Sequence, residues 1–136
     1  MAETTAFELV SPERLLVSKD VEMVVVPGAE GYFGVLPRHA PMISTLMAGV
    51  IDIHHGGKVD EQIFIAGGFA EVTESRCTVL AEEAIAVAEI DLAATEASIA
   101  GLKDEVKAAS DSQQQADIDA QIAILEAKAA ARRQSN

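Results

Sequence analysis

The stretch VIDIHHGGKVDEQIFIA, residues 50–66, decides the fold. Two runs rich in Val, Ile and Phe flank Gly56-Gly57. Both central residues of the tightest hairpin turns need a positive φ, which glycine adopts without a Cβ clash. The stretch therefore reads as a β-hairpin, residues 50–55 against 59–66. Segments of the same kind recur outward from it at residues 7–10, 15–18, 21–26, 69–73 and 77–80, separated by turn residues. Seven short strands without intervening helices predict an antiparallel β-sandwich or flattened barrel.

The remainder of the chain has another composition. Every aromatic residue and every proline precedes residue 70, and Gly101 is the one glycine beyond it. Residues 91–133 are Ala-rich, Gln-rich and charged, which favours helix. Leu92, Thr95, Ile99, Leu102 and Val106 recur at helical spacing, as do Ile118, Ile122, Leu125, Ala129 and Arg132. Residues 110–115 interrupt the pattern and Asp117 is placed to cap the second helix, so an antiparallel two-helix hairpin is expected. The division falls as a β-sandwich domain over 1–86 and a helical hairpin domain over 87–136. Each helix presents a narrow, alanine-dominated stripe, so the hairpin is expected to be marginal unless it docks on the sandwich or another chain.

Composition excludes several functions. A chain of 136 residues is too short for an α/β barrel or a two-domain enzyme. Ten Lys and Arg against 22 Asp and Glu give a net charge of −12, which repels phosphate backbones and anionic lipid headgroups. Neither nucleic acid binding nor direct membrane insertion is expected, because no apolar run is long enough to span a bilayer and residues 1–3 begin no signal peptide. A soluble cytosolic chain follows. The single Cys77 alternates with Val79 and reads as a small buried hydrophobe.

No constellation of side chains reads as a catalytic centre. Gly28, Gly31 and Gly34 follow a strand, but their spacing is not that of a dinucleotide fingerprint, Pro37 and Pro41 forbid a following helix, and Glu30 puts a negative charge where phosphate would lie. His39 sits in a proline-pinned loop without a nucleophile partner. His54 and His55 are neighbours on a strand and leave on opposite faces, so they do not chelate one ion. No catalytic residue, no metal and no cofactor is expected. What remains is contact surface: an apolar-tipped loop carrying Tyr32, Phe33, Val35, Leu36, Pro37, Met42 and Ile43, and a loosely held hairpin. That describes an interaction module.

Several quoted stretches together carry a family likeness: Val10-Ser11-Pro12-Glu13, Val26-Pro27-Gly28-Ala29-Glu30-Gly31, Gly34-Val35-Leu36-Pro37-Arg38-His39-Ala40-Pro41, Ala66-Gly67-Gly68-Phe69-Ala70-Glu71-Val72 and Val79-Leu80-Ala81-Glu82. In order and spacing the chain resembles the epsilon subunits of bacterial F-type ATP synthases, whose mitochondrial counterpart is called delta. The resemblance implies a non-catalytic rotor subunit of the central stalk, peripheral at the cytoplasmic face of the bacterial inner membrane, that binds a gamma subunit and polar loops of the c-ring. It assigns those contacts to Glu30, Gly31, Tyr32, Pro37, Arg38, His39, Ala40, Pro41 and Met42. It also implies that the hairpin is a regulatory arm able to reach the alpha/beta catalytic head and restrain ATP hydrolysis. An alternative within the family is a nucleotide sensor whose arm binds ATP, with Asp91 as the candidate contact. Here Ala94 stands where the family's ATP-binding motif has arginine, which removes a bidentate phosphate partner and implies weak or absent nucleotide binding. Only Lys128, Arg132 and Arg133 are basic in the second helix, leaving little grip on an acidic surface. Position 38, commonly glycine in the motif, is Arg38.

Overall fold

The computed structural model describes residues 3–135; Met1, Ala2 and Asn136 lie outside the described residues. Along the chain run β1 (Thr5–Val10), β2 (Leu15–Val21), β3 (Met23–Gly28), β4 (Gly31–Val35), β5 (Met42–His55), β6 (Lys58–Val72), β7 (Arg76–Ala81) and β8 (Ala84–Ala86). A 3-10 turn (Val87–Glu89) then leads to α1 (Leu92–Ala108) and α2 (Ser112–Gln134). The chain thus forms the expected β-sandwich followed by two helices.

The hairpin of β5 and β6 organises the sandwich. Gly56 and Gly57 take φ of 66° and 77°, closing the two-residue turn between His55 and Lys58. The first half of β5 and the second half of β6 join β7, β1 and β2, while their other halves join β3, β4 and β8. Inward residues of both sets, among them Phe7, Leu9, Val72 and Val79 from one and Val24, Val26, Ile51, Ile53 and Ile65 from the other, form one buried cluster. Lys19 of β2 adds a tie to β6 through Asp60 at 3.2 Å and Glu61 at 2.9 Å. The hydrogen bond to Glu61, and secondarily that to Asp60, raises its pKa.

Several features of the strands differ from the sequence reading. Residues 59–66 and 69–73, expected as two strands, are one strand, because Gly67 and Gly68 adopt φ of 115° and 143° and kink it without ending it. A Cβ on Gly68 would overlap the carbonyl oxygen of Leu80, so β7 passes closely only because that position is glycine. Residues 42–49, expected as loop, extend β5, with Met42 opposite Val72 and Thr45 opposite Phe69. Their alternation is hidden by small residues, Ala48 and Gly49. The glycine-rich segment after β3 also contains a strand, β4, at the sheet's edge, where missing side chains on Gly31 and Gly34 are tolerated. Finally, β1 and β7 pair in parallel, whereas the other pairs are antiparallel.

In the second compact unit, beginning at Val87, α1 and α2 are antiparallel: Glu96 meets Arg133 at 3.5 Å and Lys103 meets Glu126 at 3.9 Å. Asp91 caps α1, its Oδ1 accepting from the Ala94 N–H at 3.0 Å. The second cap is Asp111, not Asp117: its Oδ1 accepts from the Gln113 N–H at 3.0 Å, and α2 starts at Ser112. Apolar periodicity marks the packed face of a helix, and the polar first turn, Ser112 to Gln115, carries no such mark. Asp117 lies one turn in and accepts from the Gln113 side chain at 2.9 Å. Asp111→Ala should therefore cost about 1 kcal/mol of helical stability, and Asp117→Ala under about 0.5 kcal/mol, as read by urea unfolding followed at the helical circular-dichroism band.

Candidate functional site

The first half of β5 is the spine of the candidate site. The Ala29 N–H donates to the Thr45 carbonyl at 2.9 Å, which sets the turn between β3 and β4 beside the strand at that level. Three residues earlier, about 10 Å along the strand, residues 36–41 enter at Met42. Cross-strand partners share a face of a sheet. Leu15 is opposite Val10, Val10 beside Leu80, Leu80 opposite Phe69, and Phe69 opposite Thr45. Leu15, Leu80 and Phe69 are each more than half exposed, and Ile43 (73% exposed) and Met47 (55%) continue the row along β5. A contiguous apolar row of this kind on an otherwise charged chain marks a contact surface. Sequence reasoning missed it. The available signal was that Phe69 and Leu80 are apolar in the opposite strand phase to buried Ala70 and Val79.

The expected contact residues fall into two clusters at this edge. Glu30 and Gly31 (φ 133°) are exposed at the turn, and Tyr32 is exposed on β4, its Oη accepting from the Val50 N–H at 3.3 Å. Gly49 makes room for that ring, since a Cβ there would lie 2.8 Å from Pro27 Cβ and closer still to Tyr32 Oη. In the second cluster Pro37 and His39 are half-buried, while Arg38, Ala40, Pro41 and Met42 are exposed. The His39 N–H donates to Leu36 O at 3.1 Å, and its Nδ1 lies 2.7 Å from Ala40 O, which places the ring proton on Nδ1. The apolar-tipped loop expected from Tyr32 to Ile43 is shorter than read. Phe33 and Val35 belong to β4, where Val35 is fully buried, and Met42 and Ile43 begin β5. Strand pairing, invisible to composition, claims those residues.

Elsewhere the titratable groups are dispersed. His54 and His55 lie on β5, and among the described residues no three His, Cys, Asp or Glu side chains converge as metal ligands would. Asp91, the candidate nucleotide contact, is engaged as the α1 cap, and its carbonyl also accepts from Thr95 Oγ1 at 2.8 Å. Among the described residues no helix is long and apolar enough to cross a membrane.

The candidate site is thus an exposed apolar row on a β-sandwich, bordered by two pinned turns, in a chain that continues into two helices. Residues 4–87 match the family described as ATP synthase, Delta/Epsilon chain, beta-sandwich domain. The chain is 68% identical over 90 residues to an ATP synthase epsilon chain of Rhodospirillum rubrum, covering 66% of this chain and 67% of that one. An ATP synthase epsilon chain of Paramagnetospirillum magneticum is 69% identical over 90 residues, covering 66% and 68%. Among solved structures, a chain of the Euglena gracilis mitochondrial ATP synthase (OSCP/F1/c-ring) superimposes with a TM-score of 0.82 over 94% of this chain and 81% of its own, at 22% identity, a likeness of fold. The chain belongs to the ATP synthase delta/epsilon family.

Cys77 lies on the same strand as Leu80, opposite Val72, and its side chain is fully buried in the sandwich as its alternation with Val79 suggested. Desolvation pushes its thiol up from 9.0 to about 11. The unfolded chain releases that proton near pH 9 and the folded chain near 11, so between them the unfolded state binds fewer protons and stability falls as pH rises. The urea midpoint should decline from pH 9 to 11 more steeply in the native chain than in Cys77→Ala, as measured by equilibrium unfolding across that range.

Proposed function

We propose that this chain is a central-stalk rotor subunit of a proton-translocating ATP synthase, joining a gamma subunit to the c-ring without chemistry of its own. The observation that carries the reading is the row of exposed Leu15, Leu80, Phe69, Ile43 and Met47, joined through half-buried Val10, on strands locked together by backbone ladders. A rotor coupler must transmit force through a surface that does not deform, and paired strands over a close-packed core meet that need. The row and residues 37–42 take the gamma subunit; the turn Glu30, Gly31, Tyr32 takes the polar c-ring loops. Family membership supports the reading, as do likenesses to chains solved in the Euglena complex and in the Tetrahymena thermophila mitochondrial ATP synthase central stalk/c-ring (TM-score 0.55, 14% identity, 65% of this chain and 70% of that one). Peripheral attachment at the cytoplasmic face of the inner membrane goes with this role.

The helical unit is the regulatory arm of the same proposal, reaching the alpha/beta head when extended. Its brake is weak. Arg133 is paired with Glu96 of α1, a contact that extension must break, and Arg132 donates through Nη1 to Ser135 Oγ at 2.8 Å at the end of its own helix, so both cations are already engaged before they reach another surface. Nucleotide sensing is the poorer reading, since Asp91 is committed to its cap and Ala94 offers no guanidinium.

Phe69→Asp should weaken binding of the purified gamma subunit at least about tenfold, the loss expected for a central apolar anchor. Lys58→Ala, at the tip of the β5–β6 hairpin, should leave affinity unchanged in the same titration. Equal affinities for both would defeat the assignment of the row. Truncation after residue 88 should raise ATP hydrolysis by the reassembled complex about threefold, the effect of a docking preference below about 1 kcal/mol; a level rate would leave coupling as the arm's only task.

A further inference from the structure

Arg38 is the one residue other than glycine that takes a positive φ, 65°, among the described residues. A side chain on that backbone meets the following carbonyl, so the conformation persists only where its surroundings impose it. Two contacts do so. The Arg38 N–H donates to the Glu74 carbonyl in the turn between β6 and β7 at 2.8 Å. Its guanidinium Nη2 donates to Glu3 Oε2, just before β1, at 2.7 Å. Three chain segments far apart in sequence are stitched together at one residue.

We propose that Arg38 is a positioning residue for the gamma contact: through Glu3 it straps residues 36–41 into a single geometry and so presents Leu36 and His39 ready for docking. The inference rests on the docking function proposed above. Pro37 and Pro41 fix their own φ, so residues 38–40 are the part of the loop left to move. The remaining local restraints are the His39 N–H to Leu36 O bond, a single turn, and the His39 Nδ1 to Ala40 O bond. The other strong pairs of the sandwich reinforce strands that ladders already hold, Arg76 with Glu8 across β7 and β1 and Lys19 with β6. The Arg38–Glu3 pair instead joins two segments outside any strand. Its side chains are 75% and 62% exposed, so it adds little to global stability. Its effect falls on the number of conformations the loop samples, and pre-organising a contact loop lowers the ordering cost of binding.

The test uses the full chain and purified gamma subunit, with association and dissociation followed by biolayer interferometry. Arg38→Ala and Glu3→Ala should each weaken binding about two- to fivefold, the range covered by an exposed ion pair, mainly through slower association. The double variant should be no weaker than Arg38→Ala alone, because both changes remove one interaction. The charge-exchanged pair Glu3→Arg with Arg38→Glu should recover most of the affinity, which a merely packed side chain would not allow. Losses that add, or Glu3→Ala binding as tightly as the native chain while Arg38→Ala does not, would overturn the strap and make Arg38 a direct contact to a partner carboxylate. An independent reading needs no partner: amide hydrogen exchange at His39 in the free chain should quicken about two- to fivefold in Glu3→Ala. Unchanged exchange defeats the strap whatever gamma does, whereas failure of the native chain to bind gamma defeats the docking function alone.

Discussion

The pairing of β5 with β6 is the constraint on which the sandwich depends. Both strands are long, fourteen and fifteen residues, and their ladder runs from Met42–Val72 to His55–Lys58. One hairpin thus supplies strands to both sets of the sandwich, and a single buried cluster forms between them. The arrangement requires glycine where the pair bends. Gly67 and Gly68 accept backbone angles closed to other residues, and the missing Cβ at Gly68 lets β7 approach. Apolar burial supplies the stability, while this bend decides where each strand's outward face lies.

The outward face has a different character on the first half of β5 and its neighbours. Large apolar side chains stand exposed there in a chain whose net charge is −12. Around the row the turns are tied to other segments: Ala29 to Thr45, Tyr32 to Val50, and Arg38 to Glu74 and Glu3. Loops on a rigid scaffold commonly carry function. Here the turn at Glu30 and the loop through His39 are anchored by backbone bonds to the scaffold itself, which is the arrangement expected of a surface that works by shape.

The helical unit follows other physics. Its two capped helices are joined by Ala109, Ser110 and Asp111 and held by a short buried set (Thr95, Ile118, Ile122, Ala129) and exposed ion pairs. Alanine contributes helix propensity with little apolar area to bury. Such a unit forms readily from local propensity, with few buried contacts of its own.

Local chemistry alone determined much of this protein. Gly56-Gly57 demanded a hairpin, the alanine and heptad-like spacing after residue 91 demanded helices, and Cys77 was legible as core from its alternation with Val79. These readings succeed because turns, periodicity and propensity act over a few residues. Tertiary structure decided the rest. It made one strand of residues 58–72 across two glycines, withdrew Val35 from the exposed loop, moved the second helix cap from Asp117 to Asp111, and aligned Leu15, Val10, Leu80 and Phe69 into one row. The registers depend on partners outside the local window, Met42 on Val72 and Val10 on Leu80, and a strand's faces have no meaning until its partner fixes which one looks inward.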